Sequence, residues 1–312
     1  MAHPRRFRFA VQLDKAPDRA SYLDLARRAE DLGYDTLVLE DHFDDSLSPI
    51  PAMLAAASVT TSLRVSTHVF CNDYKHPLVL AKEVATLDLL TDGRVEFGLG
   101  AGWKNSDYAA SGIPKESAGT RIARLEEAVT IIKGLWGPEP VTQIGEHYQV
   151  TAAVGHPRPV QRPHPPILLG GGGRKMLSLA ARHADIVGVA PAAVTGEIDA
   201  ESARTATPAA TDAKLQWIRA AAGDRFDDLE LNVLLFAAII GPDRQANAEA
   251  VAAAFDLPVE DTIGSPHLCF GSVEEICDDL EARRERWGLS YVTFPGDAFE
   301  AAAPIVQRLT GS

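Results

Sequence analysis

A chain of 312 residues, 46% hydrophobic and 23% charged, has the balance of a globular protein with a sizeable core in one large domain or two ordinary ones. Its net charge of −13 disfavours binding to a nucleic-acid backbone. Three widely spaced cysteines, Cys71, Cys269 and Cys277, match neither a disulfide framework nor a metal site and suit a reducing cytoplasm. The N-terminal Met1-Ala2-His3-Pro4-Arg5-Arg6 is basic, but no long apolar run follows before Asp14. Neither a signal peptide nor a membrane span is expected.

In chain order, 7–13 reads as a short strand. Asp18 is an N-cap for a helix carrying Tyr22, Leu25, Ala26, Ala29 and Leu32 at helical spacing, and Gly33 stops it. The run 36–39 is a buried strand ending in Glu40-Asp41-His42, and 51–60 is an alanine-rich helix. A third strand, 64–70, runs into Cys71-Asn72-Asp73-Tyr74-Lys75-His76-Pro77, and a helix follows over 78–90. The turn Thr91-Asp92-Gly93-Arg94 precedes a fourth strand, 95–100, that opens into Gly98-Leu99-Gly100-Ala101-Gly102-Trp103. Glycines on alternate positions bring a backbone close to a partner that a β-carbon would push away.

The segment 121–135 is a helix, and Gly145-Glu146-His147-Tyr148 a turn or hairpin insertion. Five prolines in 157–166 make an extended connector. A fifth strand, 167–169, ends in Gly170-Gly171-Gly172-Gly173-Arg174, with a helix over 176–183 and a sixth strand over 184–189. The weakly periodic 190–211 is either an active-site lid or partly disordered. Helix 212–222, a long strand 229–240, helices 245–255 and 273–286, strand 290–294 and helix 297–309 complete the chain. Eight strands, each followed by helical sequence, predict a (β/α)8 TIM barrel with insertion segments in one domain, 1–312. An open doubly wound sheet is the alternative.

In such a barrel the C-terminal strand ends line the active site. That gathers Asp41 and His42, the stretch His68, Val69, Phe70, Cys71 and Asn72, then Gly98 to Trp103, and Gly170 to Arg174 around one mouth. Bare N–H groups of Gly171, Gly172 and Gly173, a helix N-terminus and Arg174 make an anion site whose natural occupant is phosphate. The glycines after strand four do not match the dinucleotide fingerprint. His42 has the residue type for proton transfer beside other chemistry. Asp41 is a candidate to orient it, although neighbouring side chains on an extended strand point oppositely. His76 is a turn residue. His147, His156, His164 and His183 lack partners at ligand spacing, so no metal is expected. No nucleophile elbow or Cys–His pair points to covalent catalysis.

Leu39-Glu40-Asp41-His42, Asn72-Asp73-Tyr74-Lys75-His76-Pro77, Asp92-Gly93-Arg94 before Gly98-Leu99-Gly100-Ala101-Gly102-Trp103, and Arg158-Pro159-Val160-Gln161 before the glycine loop together resemble the bacterial luciferase-like oxidoreductases. They resemble especially the actinobacterial branch that uses the deazaflavin coenzyme F420. The resemblance implies an isoalloxazine-like ring across the mouth, near His68, Val69, Cys71 and Asn72. It implies the cofactor phosphate on Gly171, Gly172, Gly173 and Arg174, the ribityl chain close to the Gly98 to Gly102 backbone, and Gly100, Ala101, Gly102 and Trp103 among the cofactor-binding residues. It implies His42 as the acid–base group and a non-proline cis peptide near His68-Val69. The family's sugar-phosphate and secondary-alcohol dehydrogenases carry a glutamate after strand four, where Trp103 stands here. This departure favours an unsaturated substrate over an alcohol. The implied activity is an F420-dependent reductase. FMN-dependent monooxygenation and a non-catalytic, cofactor-binding barrel are the alternatives. Beyond its small-molecule substrate, the expected partner is a second copy, paired through Met53, Leu54, Val79, Leu80, Val84 and Leu87.

Overall fold

The computed structural model describes residues 5–312; Met1 to Pro4 of the basic N-terminus lie outside the described residues. Thirteen strands follow in order: β1 (Arg8–Gln12), β2 (Thr36–Leu39), β3 (Arg64–Thr67), β4 (Phe70–Cys71), β5 (Phe97–Gly100), β6 (Val141–Ile144), β7 (Gln149–Ala153), β8 (Ile167–Gly171), β9 (Ile186–Val189), β10 (Glu230–Leu234), β11 (Ala237–Ile240), β12 (Leu268–Gly271) and β13 (Leu289–Phe294).

Nine of them form one parallel sheet in the order β3-β2-β1-β13-β10-β9-β8-β5-β4. Its two ends, β3 and β4, are consecutive pieces of one stretch of chain. Val65 of β3 also bridges Val95, just before β5, so the sheet nearly closes on itself. This is the TIM barrel expected from the alternation, with its third strand broken between Thr67 and Phe70. The His68-Val69 peptide at the break is cis.

The helices Asn105–Ser111 and Val259–Gly264 and strand β12 are additional to the expected elements, and two expected segments take a different form. The apolar run 229–240 is two strands, because the barrel strands span at most six residues. After β10 the chain leaves the barrel: Leu235 N still donates to Thr293 O, but Phe236 N donates to His267 O. β11 then pairs with β12 in a small second sheet. The segment 190–211 holds a short helix, Ala200–Arg204, opened by a capping box between Asp199 and Ser202. Buried Lys214 fastens this segment by donating to Ala190 O (2.7 Å) and Thr205 O (2.6 Å). The 145–148 turn joins β6 to β7 in an antiparallel hairpin, as its sequence suggests.

Elsewhere the local signals act as read. Asp18 accepts from Ser21 N at 2.8 Å, and Gly33 stops the first helix at φ +89°. Buried side chains between strands and helices form the main core, while Ala10, Val38, Leu168, Ile186 and Tyr291 fill the barrel lumen. Below them, at the N-terminal strand ends, Arg8 pairs with Glu96 (2.6 Å), Glu230 (2.7 Å) and Asp35 (2.9 Å). Burial pushes the Glu96 carboxyl up, but Arg8 and Arg64 outweigh it and hold it below its ordinary range. This face is a plug of paired charge, so the opposite end is left for chemistry. Cys71, Cys269 and Cys277 are separate, unpaired and buried.

Candidate active site

The mouth is built from the ends of β2, β4, β5 and β8. His42 follows β2, and its Nδ1 lies 2.6 Å from Asp107 Oδ2. Asp107 belongs to a short helix, Asn105–Ser111, that the sequence did not announce because its N-terminus has no side-chain cap. The Asp107 carboxylate also accepts from Tyr74 Oη (3.0 Å) and from Phe43 N (3.3 Å). Burial raises its pKa, but the hydrogen bonds, the one to His42 first, outweigh that and hold it low. An ionised carboxylate only accepts, so His42 Nδ1 carries the hydrogen and Nε2 is left as the working nitrogen. Glu40 Oε2 stands 3.8 Å from that nitrogen. Burial pushes the Glu40 carboxyl up. Trp103 meets the His42 ring edge-on at 5.7 Å.

Asp41 does not orient His42. Its Oδ2 accepts from Cys71 N at 3.0 Å, which ties the end of β2 to the end of the broken third strand. The reason is the alternation of side chains along extended chain: Glu40 and His42 turn one way and Asp41 the other. Asp107 has the role assigned to Asp41.

The glycines after strand four answer to the protein itself. A β-carbon on Gly98 would stand 1.8 Å from Thr67 O, and one on Gly100 2.5 Å from Val69 Cγ2. At Gly102, with φ +76°, it would stand 2.1 Å from Tyr108 Oη. The partner these glycines approach is therefore the bulge of strand three and the Tyr108 hydroxyl. Ala101 and Trp103 between and after them are half-buried.

Two polar atoms at the break in strand three lack partners among the described residues, His68 Nε2 and Asn72 Oδ1. Asn72 Nδ2 donates to Tyr148 Oη at 3.1 Å, and His68 Nδ1 sits 3.4 Å from Thr293 Oγ1. Burial pushes the His68 pKa down to about 4, so the ring is neutral near pH 7. Val69 is half-buried beside it, and burial pushes the Cys71 thiol up to about 12.

Across the mouth, Gly173 caps the helix Arg174–His183 with no side-chain acceptor on the first N–H groups. A β-carbon on Gly172 would meet Pro191 and Ala192 backbone at 2.3 Å, whereas one on Gly173 would meet nothing within 4 Å. Gly173 and Arg174 are exposed and Gly171 half-buried. Bare N–H groups, open space and an adjacent guanidinium fit a phosphate. Orphaned atoms at strand three fit a flat ring with polar edges.

The luciferase-like monooxygenase family profile matches residues 6–290. The chain belongs to that family. It is 33% identical over 194 residues to the F420-dependent glucose-6-phosphate dehydrogenase of Microbacterium testaceum, covering 59% of this chain and 56% of that one. It is 32% identical over 145 residues to the FMNH(2)-dependent dimethylsulfone monooxygenase of Pseudomonas putida, covering 46% of this chain and 39% of that one. The chain thus spans about half the length of the curated relatives it matches. The coenzyme F420-dependent tetrahydromethanopterin reductase of Methanopyrus kandleri superposes with a TM-score of 0.78 at 18% identity, covering 98% of this chain and 99% of that one, a likeness of fold.

Sequence reasoning found His42 and the glycine loop but not Asp107, Tyr74 or Tyr108 as site residues. A usable signal existed: Asp107 stands four positions after Trp103, about one helical turn, and Gly112 closes the helix with φ +71°.

Proposed function

We propose that this protein is an F420-dependent oxidoreductase that acts as a reductase on a small unsaturated organic substrate. The observation that carries this is the His42–Asp107 pair beside Trp103, at the mouth of a barrel of this family. Bound deazaflavin would supply the hydride chemistry. Gly171, Gly172, Gly173 and Arg174 would hold its phosphate, and His68, Val69 and Asn72 would lie against its ring. Asp107 keeps the proton on His42 Nδ1, so Nε2 exchanges a proton with the substrate. Trp103 closes the site with an apolar wall that excludes water. We propose separately that the protein pairs as a homodimer through the exposed apolar residues Leu54 and Val79.

Relatives that use either cofactor support the family but not the choice. Fluorescence titration of the purified protein with F420 and with FMN makes it. Saturable F420 binding, lost in Arg174→Glu, is the expected result. Tight FMN binding with no F420 binding overturns the reading and promotes a flavin-dependent monooxygenase.

A further inference from the structure

A cavity adjoins the same end of the barrel. It lies between the segments 191–207 and 236–268 and has about 510 Å³ of space, its open side included. Its walls are apolar: Ile198, Phe236, Val251, Phe255, Leu257 and Leu268. Ile198 and Phe236 stay 47% and 45% exposed although each could be covered by a ligand in the cavity. The inner edge is Pro191, which packs on Gly172 of the glycine loop. The cavity therefore borders the candidate active site, with Pro191 as the wall they share.

His267 lines this cavity and is 1% exposed. Its Nδ1 is 3.0 Å from Leu234 O. A carbonyl only accepts, so Nδ1 carries the hydrogen and Nε2 presents a lone pair. That lone pair has no partner among the described residues. Burial pushes the ring pKa down to about 3, so His267 is neutral near pH 7. A buried acceptor without a donor is costly, and an apolar residue would avoid the cost. Nδ1 serves the fold through Leu234 O, and the pairing of 236 with 267 is made by backbone, so neither engages Nε2. The hydroxyls nearby are already engaged, Ser265 with Ala206 O and Ser202 with Asp199 O. Asp261 on the rim disfavours an anionic occupant.

We propose that this cavity is a specificity subsite for an apolar substrate portion bearing one hydroxyl, which donates to His267 Nε2 while Phe236 and its neighbours cover the hydrocarbon. Only the word substrate rests on the oxidoreductase reading. A buried acceptor of this kind discriminates against an analogue without the donor.

The test uses the full chain as purified, titrated calorimetrically with n-hexanol and with hexyl methyl ether. Loss of one hydrogen bond to a buried acceptor is expected to weaken the ether about tenfold relative to the alcohol. In protein labelled at the histidine ring nitrogens, the His267 Nε2 signal moves with the alcohol and not with the ether. H267F binds both probes alike. Equal binding of the two probes by the parent protein, or no saturable binding of the alcohol, overturns the proposal. If H267F does not fold, the probe comparison and the nitrogen signal of the parent still decide. Alcohol binding without F420 binding keeps the subsite and removes the F420-dependent reading; the opposite pattern does the reverse.

Discussion

His42 and Asp107 are 65 positions apart and share one task. The histidine was legible because it follows a buried strand in a barrel pattern. Its partner was not: the sequence around Asp107 marks a helix, but nothing local pairs that residue with His42. The neighbour Asp41 could be named from sequence yet faces the other way. Positioned proton transfer contributes about 100- to 10,000-fold, so H42A is expected to slow single turnover by that order while F420 affinity holds. D107N keeps the shape but removes the charge that fixes the ring's hydrogen. It is expected to lower the single-turnover rate by at least about tenfold, with D107E recovering part of the loss. Stopped-flow rates with reduced cofactor check both. Unchanged rates in D107N would remove Asp107 from the mechanism.

At the scale of elements, strand and helix types followed from periodicity, while interruptions did not. The break after Thr67 and the exit at Leu235-Phe236 are set by what the neighbouring strands can accept, which a one-dimensional pattern does not carry. The glycines of strand four were legible as a close approach, but not as an approach to strand three. G98A places a β-carbon against Thr67 O and is expected to cost about 1–3 kcal/mol; G173A, facing open space, leaves Tm unchanged. Equal Tm values for the two variants would contradict this account.

The first helix supplies a second element-scale case. Glu30 accepts from the backbone N–H groups of Thr61, Ser62 and Leu63. Burial pushes its pKa up, but these bonds win and lower it from 4.5 to about 2. A carboxylate depressed in the folded state contributes stability above its unfolded pKa and loses it as pH falls through the folded one. E30Q should therefore be less stable by about 1 kcal/mol at pH 7, a modest value because Glu30 is partly exposed. The Tm gap should close between pH 4.5 and about 2. A gap that persists at the acid end would assign the loss to packing.

For the whole molecule, eight alternations of strand and helix implied parallel strands, and a nearly closed barrel is what results. The proposed pairing surface was legible only in part. Met53, Leu80, Val84 and Leu87 are buried in the core, whereas Leu54 and Val79 are exposed, joined by Leu78, Leu89 and Leu90. Helical spacing placed all of them on two helices but could not tell the barrel-facing side from the outer one when both are apolar. Ile50, Leu54, Leu78, Val79 and Leu87 line a shallow groove between the helices Pro49–Ala57 and Pro77–Leu90. Light scattering at micromolar protein is expected to give a dimer mass, and L54R/V79D a monomer. A monomeric parent protein would reject the pairing.

The three buried thiols turn the chain into its own accessibility gauge. Cys71 sits at the end of β4 beside the mouth, Cys269 on β12 of the small sheet, and Cys277 in the outer helix Val273–Trp287. Alkylation of each requires the surrounding structure to open, so the three reaction rates report three regions separately. A molecule lodged at the mouth is expected to slow Cys71 modification while Cys269 and Cys277 react as before, internal standards against a general tightening. Mass spectrometry of timed alkylation would then locate an unidentified ligand without any knowledge of what it is.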